Sequence, residues 1–429
     1  MKLPILIYLS SFVLLSGPLC AQVPAPAPVQ QQPILISGGT AHIGNGQVID
    51  NSALIVEEGK ITFAGGSDIL PRRDFTGFRR IDATGKHLYP GLIAPATNLG
   101  LVDIGAVRAT RDYNEVGSIN PNVRSIIAYN TDSPVIPTVR SQGILLAQVA
   151  PQGGRVPGMS SIVQLDAWNW EDAAYRTDEG IFLNWPRLFS YSWRNRSFSK
   201  NEDYAKQIEE LRAFFTEAQA YARYAEPARS NLRFEAMKPL FSGERRLYIE
   251  AQEAKEITHA VQFAKEMGLS VVIVDGGDAW MVAELLKEND VPVILRETQS
   301  LPTRVDADVD QPFKTPAQLH EAGVLFCFSS DGYWQQRNLA FQAGQAVAYG
   351  LSYEDALAAL TSSTAKILGI DSRTGSLEAG KEANLIICEG DLLDVRSSKV
   401  EMALIQGREV NLDNQQKALY RKFKAKYQE

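Results

Sequence analysis

Two different patterns of apolar and polar residues divide the 429-residue chain into parts. Between Ile34 and Ile81, short runs of alternating character are separated by glycine and Asn-Gly turns, which is typical of antiparallel hairpins. A similar texture returns near the C-terminus, in GSLEAGKEANLIICEG and VEMALIQGREV. We therefore predict one small β-sandwich domain built from both ends of the chain, over residues 34–88 and 371–412.

The middle of the chain has continuous apolar runs instead. They include GILLAQVA, RLYIEA, LSVVIVDGG, VPVILRE and GVLFCFSSDG, and amphipathic helical patterns lie between several of them. Strands that are buried on both faces and alternate with helices indicate a parallel sheet. About eight such units that close on themselves predict an α/β fold, a (β/α)8 TIM-like barrel over residues 89–370. In this fold functional residues gather at the carboxyl ends of the strands.

A segment at about residues 165–226 departs from this rhythm. It contains four of the six tryptophans, Trp168, Trp170, Trp185 and Trp193, followed by a long helical pattern. The tryptophans could form an aromatic wall over the barrel mouth that binds an apolar or sugar-like ligand. The alternative, which we favour, is an insertion that packs its own aromatic residues or forms a subunit interface.

Both ends of the chain predict segments outside these domains. Residues 1–21 contain one lysine, a short apolar core and then small residues, as in a cleaved secretory signal peptide, so we expect an exported protein, periplasmic or secreted. Cys20 leaves a lipid-attached form open, although the residues before it are not the small ones that lipid attachment requires. The Pro/Gln-rich residues 22–33 predict a disordered linker, and residues 413–429 a C-terminal helical tail.

Composition limits the kinds of partner. The formal net charge is −7, and the basic residues are scattered without a continuous stripe, so we do not expect nucleic-acid binding. The apolar N-terminal run is too short to cross a bilayer, and no membrane span is expected. Cys327 and Cys388 lie in two apolar strand-like runs and are predicted as buried small side chains, not a disulfide. A homodimer or a homologous partner subunit is possible.

Five longer phrases resemble the amidohydrolase superfamily, in the branch of imidazolonepropionase-like exported proteins. The resemblance runs from about Ile34 to Val410, through ILISGGTAHIGNGQVIDNSALIVEEGKITFAGG, IDATGKHLYPGLIAPATN, GLSVVIVDGGDAWMVAELLKENDVPVIL, AGVLFCFSSDG and ALAALTSSTAKILGIDSRTGSLEAGKEANLIICEGDLL. It implies a metal-dependent barrel that hydrolyses carbon-nitrogen bonds of amides, ureas and cyclic imides, beside a split β-sandwich.

The residues that bind metal in that family are replaced in this chain. The first barrel strand of the family ends in a phrase like Pro-Gly-Leu-Ile-Asp-x-His-x-His, where this chain has Ala94, Ala96 and Asn98. Two later strands that carry histidine in the family have Glu250 and Asp275 at the corresponding positions. Only Asp331, in FSSDG, keeps the residue type of the family. The resemblance therefore supports the fold more strongly than the activity.

A count of histidines leads to the same conclusion without reference to the family. A catalytic zinc site needs about three protein ligands, mostly imidazole or thiolate. The chain has only four histidines, in the predicted sandwich, before the first barrel strand and in helical stretches: His42, His87, His259 and His320. None of them ends a predicted barrel strand. We therefore do not expect an ordinary two-zinc centre, or any other resident cofactor.

An oxygen-only site is the open alternative. Asn98, Glu250, Asp275 and Asp331 are all predicted at strand ends around one mouth, and oxygen ligands favour cations such as Ca²⁺, Mg²⁺ or Mn²⁺. If one divalent cation binds, its predicted ligands are Glu250, Asp275 and Asp331. Without a cation these carboxylates need a proton or a basic partner, and Arg296, which follows VPVIL, is well placed to pair with them.

Two functions follow from these observations. The first, which we favour, is a non-catalytic or strongly altered amidohydrolase homologue that binds a small-molecule ligand or a partner at the barrel mouth. The second is an active hydrolase of carbon-nitrogen bonds that has an oxygen-ligand mononuclear metal site, with Asp331 as general base. The predicted ligand-binding residues are Asn98, Glu250, Asp275, Arg296 and Trp334.

Overall fold

An eight-stranded, nearly closed barrel sheet and two smaller sheets form the core of the protein. The structure is a computed structural model that describes residues 25–192, 194, 196–224, 229–302, 304 and 306–427. The predicted α/β class, with a TIM-like barrel and a β-sandwich from both chain ends, is confirmed. The predicted signal peptide, including Cys20, lies outside the described residues.

The strands follow the two regions seen in the sequence. Those before the barrel are β1 (Ile34–Ser37), β2 (Thr40–His42), β3 (Val48–Ile49), β4 (Ser52–Glu57), β5 (Lys60–Gly66), β6 (Arg79–Asp82) and β7 (His87–Pro90). Those of the barrel, with a hairpin of β12 and β13 beside it, are β8 (Leu92–Thr97), β9 (Ile144–Val149), β10 (Gly158–Gln164), β11 (Ala174–Asn184), β12 (Phe189–Ser192), β13 (Ser197–Lys200), β14 (Arg246–Ala251), β15 (Val271–Asp275), β16 (Val293–Leu295) and β17 (Phe326–Phe328). Those after the barrel are β18 (Leu385–Glu389), β19 (Lys399–Ile405) and β20 (Arg408–Glu409).

The helices surround the barrel or follow the sandwich. They are α1 (Val135–Arg140), α2 (Trp170–Ala173), α3 (Tyr204–Ala222), α4 (Leu232–Phe241), α5 (Ala254–Met267), α6 (Ala283–Glu288), α7 (Gln311–Glu321), α8 (Leu339–Val347), α9 (Tyr353–Ala358), α10 (Ser362–Leu368) and α11 (Gln415–Tyr427). Helix α5 shows how the sequence sets such bounds. A capping box of Glu253 and Glu256 starts it, and Gly268, with a φ of 67°, ends it in the left-handed conformation that glycine adopts easily. No helix in the described part of the chain combines the length and the apolar character needed to cross a bilayer.

The two smaller sheets join the chain ends. Their strand orders are β5-β4-β1-β6 and β20-β19-β18-β7-β2-β3, so in the second sheet three strands from the C-terminal part lie beside three from the N-terminal part. The junction is the antiparallel pair of β7 and β18, in which Leu88 lies opposite Ile387. Side chains of Ile36, Leu54 and Leu88 pack with those of the C-terminal strands between the sheets.

The barrel differs from eight parallel units in one strand. Its order is β17-β16-β15-β14-β11-β10-β9-β8, and β10 runs antiparallel to both β9 and β11. Strand β11 falls within residues 165–226, which the sequence analysis assigned to an insertion. Its first half, AYRTDEG, is too polar to be recognised as a buried strand, and antiparallel neighbours need no crossover helix between them.

Residues 359–360 bridge the edge strands and help to close the barrel. The backbone N–H groups of Phe328, in β17, and Ile93, in β8, donate to the carbonyl oxygens of Ala359 and Leu360 at 3.2 and 3.1 Å. The Oγ of Ser329 also donates to the carbonyl of Pro95 at 2.7 Å. These contacts bring the carboxyl ends of the first and last barrel strands to the same rim.

The tryptophans of the predicted insertion are separated by the barrel. Trp168 and Trp170 follow β10, which runs antiparallel, and so lie at the end of the barrel away from the mouth. Trp185 follows β11 at the mouth end, is only 2% exposed, and donates its Nε1–H to the hydroxyl of Tyr204 at 3.0 Å. Trp193 lies outside the described residues. The three described tryptophans therefore form no common wall.

Residues 25–33, predicted as part of a disordered linker, instead lie against the fold. The backbone N–H of Ala27 donates to Asp166 at 2.8 Å. The side-chain amide of Gln30 donates to the carbonyl of Val56 and accepts from the N–H of Gly59, at 3.0 and 2.8 Å. A glutamine side chain can both donate and accept hydrogen bonds, as the backbone of a neighbouring strand does. The Pro/Gln-rich composition did not predict these contacts of Gln30 with the fold.

Candidate active site

Four of the residues singled out from the sequence meet at the barrel mouth. Glu250 lies near the end of β14, Asp275 ends β15, Arg296 directly follows β16, and Asp331 lies three residues beyond β17. Because the carboxyl ends of parallel strands share one rim, their side chains come together although they are spread over residues 250–331. Together with a second arginine, Arg187, these four residues form one charged cluster.

Glu250 is held from two sides. Its Oε2 accepts from Nη2 of Arg296 at 3.0 Å, and its Oε1 accepts from Nη2 of Arg187, also at 3.0 Å. The same guanidinium group of Arg187 lies 3.7 Å from Asp275, and Nη1 of Arg296 lies 3.8 Å from Asp331. The carboxylates are therefore paired with arginine, and a basic partner is one of the three arrangements that the sequence left open, beside a cation and a proton.

Arg187 also belongs to this cluster, although its sequence position did not predict it. It comes soon after β11, and the end of that strand was not recognised because the strand itself was assigned to an insertion. Its Nη1 lies 3.4 Å from the carboxylate of Glu256, which is 1% exposed and also accepts from the N–H of Leu188 at 2.7 Å. Arg187 is thus fixed by the first turn of α5 as well as by Glu250.

The backbone conformation of Asp275 is unusual, and so is the pKa of its side chain. Its φ is +82°, in the left-handed region that few residues other than glycine adopt, although Asp and Asn tolerate it best. The side chain is 15% exposed. Burial raises its pKa to about 6, against the effect of Arg296 and Arg187, while Glu250 and Asp331 raise it further. Asp275 can therefore exchange a proton near neutral pH.

Arg296 interacts electrostatically with all three carboxylates of the cluster. Burial opposes its charge, but the carboxylates of Glu250, Asp275 and Asp331 together raise its pKa above the ordinary value. Its Nε is buried and has no hydrogen-bond partner among the described residues. A buried donor without a partner costs about 1–3 kcal/mol, so an acceptor from a ligand would be favourable there.

The first strand end is held from inside the barrel. Ala96, at a position where the family resemblance implies a histidine, has a φ of +51°, and its N–H donates to Oε1 of Gln148 at 2.9 Å. Gln148 in turn donates to Glu179, which also accepts from Ser160 and from the hydroxyl of Tyr248. Burial raises the pKa of Glu179, against the effect of these three hydrogen bonds. This hydrogen-bond network holds the backbone at Ala96, at the end of the first barrel strand.

Two predicted ligand-binding residues do not join the cluster. Asn98 is 6% exposed, donates to Oε1 of Gln152 at 3.4 Å, and has a buried Oδ1 without a partner in the described chain. Trp334 stacks with the guanidinium of Arg337, 5.4 Å from its ring centroid, and lines neither of the two cavities at the mouth. The structure therefore gives Trp334 a packing role.

Two cavities of about 270 Å³ each adjoin the cluster. We call one the axial cavity, which is lined by Ala96, Gln152, Phe182, Asn184, Glu250 and Arg296 and lies over the end of the barrel. The other, the lateral cavity, extends beside α7 and is lined by Asp275, Asp278, Glu297, Thr298, Gln311 and Thr315. Arg296 and Asp331 line both cavities.

The histidines lie elsewhere, as their sequence positions indicated. His42 and His87 hydrogen bond each other at 3.1 Å in the sandwich. His259, on α5, contacts the hydroxyl of Tyr204 at 3.0 Å, and His320 is exposed on α7. Cys327 and Cys388 are buried and free. None of these imidazole and thiol groups reaches the mouth.

The carboxylates at the mouth face arginine side chains. Within the described ranges, no three side chains of His, Cys, Asp or Glu come together in a way that could hold a metal ion. The two oxygens of Glu250 each face a guanidinium group, and Asp331 lies beside a third guanidinium nitrogen, Nη1 of Arg296. Arginine occupies the positions from which a cation would bind these carboxylates.

A nearly closed barrel, a split sandwich and a polar cluster at the strand ends define a protein with a TIM-like barrel fold. The sequence model of the amidohydrolase family matches residues 235–413. Over these residues, less than half of the chain, the protein is similar to the amidohydrolase family.

Individual proteins are similar to this chain in sequence or in fold. The chain is 20% identical over 358 residues to Amidohydrolase tasK of Hapsidospora irregularis, which covers 75% of this chain and 36% of that protein, so the chain spans about a third of the relative's length. The fold is similar to that of an amidohydrolase from Thermotoga maritima, with a TM-score of 0.76 at 24% identity, over 88% of this chain and 99% of the other. A molinate hydrolase is similar with a TM-score of 0.55 at 15% identity, over 89% and 95%.

Proposed function

We propose that this protein is a non-hydrolytic or strongly altered amidohydrolase that binds a small polar ligand at the barrel mouth. The observation that carries the proposal is the position of Glu250 between Arg187 and Arg296, with both N–O distances at 3.0 Å. A hydrolase of this superfamily needs a cation that activates water at this place. Here two fixed positive charges hold the carboxylate instead.

Electrostatics opposes a metal ion at the same place. At an effective dielectric constant of about 20, a divalent ion about 4 Å from one guanidinium group is repelled by about 8 kcal/mol. A cation bound to Glu250 would have Arg187 on one side and Arg296 on the other. Binding would therefore require both arginines to leave their carboxylate partners.

The axial cavity suggests the chemistry of the ligand. Gln152 and Asn184 offer amide groups, Arg296 offers a positive charge, and Asp331, whose side chain is 67% exposed, offers a negative one. A volume of about 270 Å³ is at the lower end for a small-molecule site. A zwitterion or amide of amino-acid size would match these groups, with its acceptor at Arg296 and its donor at Asp331.

Metal affinity tests the electrostatic part of the proposal. The purified wild-type chain should hold less than one transition-metal ion per molecule by elemental analysis, and calorimetry should detect no tight Zn²⁺ or Mn²⁺ binding. The double variant R187A/R296A frees the carboxylates and should gain Mn²⁺ affinity, whereas R396A, which changes an exposed arginine, should not. Tight Zn²⁺ binding by the wild type, lost on substitution of Glu250, would overturn the proposal.

Hydrolysis tests the alternative of an active enzyme that uses Asp331 as general base. This alternative draws on the exposure of Asp331 beside both cavities. Wild-type protein and the D331N variant should be compared on an N-acyl amino acid, a dipeptide and a cyclic imide. A wild-type rate that disappears in D331N would establish the active hydrolase. Equal rates in both proteins would indicate a contaminating enzyme and leave the binding proposal in place.

A further inference from the structure

The C-terminal helix α11 has an apolar face that no described residue covers. None of the residues in Gln415–Tyr427 is buried. Leu419, Tyr420, Phe423 and Tyr427 are 43%, 65%, 50% and 74% exposed. At about 100° of rotation per residue, these four side chains fall within an arc of about 100° on one side of the helix. Exposed aromatic side chains in one row are unusual on a surface that faces only water.

The helix is attached to the rest of the fold at its start. Gln416 accepts a hydrogen bond from the hydroxyl of Thr138, on α1, at 2.8 Å. Just before the helix, Asn414 donates to the hydroxyl of Ser141 at 2.9 Å. The apolar residues lie beyond this attachment, on the later turns. The later turns are thus held in place without being packed.

The same helix is strongly basic. It carries five basic and no acidic residues, on a chain whose formal net charge is −7. Two of the five are satisfied within the fold: Arg421 pairs with Asp413, and Lys417 donates to a backbone carbonyl. The other three, Lys422, Lys424 and Lys426, make no ion pair within the described part of the chain.

The free lysines border the apolar face. Projected at about 100° per residue, Lys422 and Lys426 lie on one side of the arc and Lys424 on the other. Lys424 and Lys426 also lie over the rings of Tyr420 and Tyr427, at 5.7 and 5.1 Å. Such a helix has an apolar strip with cationic edges, which matches a membrane surface in both polarity and charge.

We propose that α11 binds the surface of an anionic lipid bilayer. Leu419, Tyr420, Phe423 and Tyr427 would enter the boundary between headgroups and acyl chains, where aromatic side chains are favoured. The three lysines would then lie at the level of the lipid phosphates. A 13-residue helix is about 20 Å long, which suits a position in the plane of the surface. A second copy of this acidic chain would satisfy the lysines, but a pairing surface would also have to cover the aromatic row.

Vesicle binding by the full chain tests this proposal. The wild-type protein should co-sediment with vesicles of phosphatidylcholine containing about one third phosphatidylglycerol, and much less with pure phosphatidylcholine. Binding should weaken at a salt concentration of about 0.5 M, where screening is strong. Each lysine near an anionic surface contributes about fivefold to binding, so K422Q/K424Q/K426Q should lose about 100-fold in partition. F423S should also bind more weakly, because it removes an apolar group from the interface.

A triple variant at other sites provides the matched control. Lys206, Lys255 and Lys265 are exposed on α3 and α5, and K206Q/K255Q/K265Q makes the same change of net charge. This control variant should bind vesicles like the wild type. Because the wild type and both triple variants have the same N-terminal segment, a difference between them cannot come from that segment. An equal loss in both triple variants, or no preference for anionic vesicles, would overturn the proposal. So would a dimer, seen by analytical ultracentrifugation, that F423S dissociates while vesicle binding is unchanged.

Discussion

The proton on Asp275 should make stability depend on pH in a way that one substitution removes. Burial raises the pKa of this carboxyl from 3.8 to about 6. A folded-state pKa above the unfolded one means that the proton stabilises the folded state. This stabilisation is complete below the unfolded pKa and is lost as the pH rises through about 6. A shift of about two units corresponds to about 3 kcal/mol.

The variant D275N keeps the shape of the side chain but carries no titrating group. Asparagine also tolerates the positive φ at this position. At pH about 4 the variant and the wild type should be about equally stable, because both side chains are neutral in the folded state. At pH about 7.5 the variant should be more stable by about 3 kcal/mol. The free energy of unfolding should be measured in urea at both pH values.

Asp290 provides the control for this measurement. It is exposed and has a φ of 50°, so D290N makes the same substitution in the same backbone region without burial. The difference between D290N and wild type should not change with pH. If the difference in free energy of unfolding between D275N and wild type is also the same at both pH values, burial does not raise the pKa of Asp275 and the reasoning is refuted.

Three further substitutions test the packing that supports the site. D166N breaks the buried ion pair of Asp166 and Arg140, whose side chains are 1% and 4% exposed. It should lower the free energy of unfolding, measured in urea, by about 3–5 kcal/mol. G180A should lower the melting temperature, because a Cβ there would lie 2.2 Å from the ring of Tyr248, and overpacking costs about 1–3 kcal/mol. Y248F removes a 2.9 Å hydrogen bond to the buried Glu179 and should cost about 1–3 kcal/mol in urea, and no loss would show that this bond is not formed.

Much of the site could be predicted because the barrel rule converts sequence into position. Glu250, Asp275, Arg296 and Asp331 each follow or end an apolar run, and in a parallel barrel the ends of such runs share one rim. The predicted pairing of Arg296 with the carboxylates follows from the same rule. Trp334 was also predicted as a ligand-binding residue, but its side chain stacks with Arg337.

Arg187 could not be predicted in this way. The strand before it begins with polar residues, and its neighbour β10 runs antiparallel, so the periodic pattern that marks a barrel strand is absent there. The tryptophans of the same region were grouped because they are close in sequence. The course of β10 and β11 puts Trp168 and Trp185 at opposite ends of the barrel.

The sequence by itself determined the class of fold and indicated that no histidine ends a barrel strand, because apolar periodicity and residue identity are local properties. Only the tertiary structure decided which charges neutralise one another. Glu250 and Arg187 are 63 residues apart, and Glu250 and Arg296 are 46 apart, yet each pair lies at 3.0 Å. A charge is satisfied by its neighbours in space, and strand order, including one antiparallel strand, chooses those neighbours.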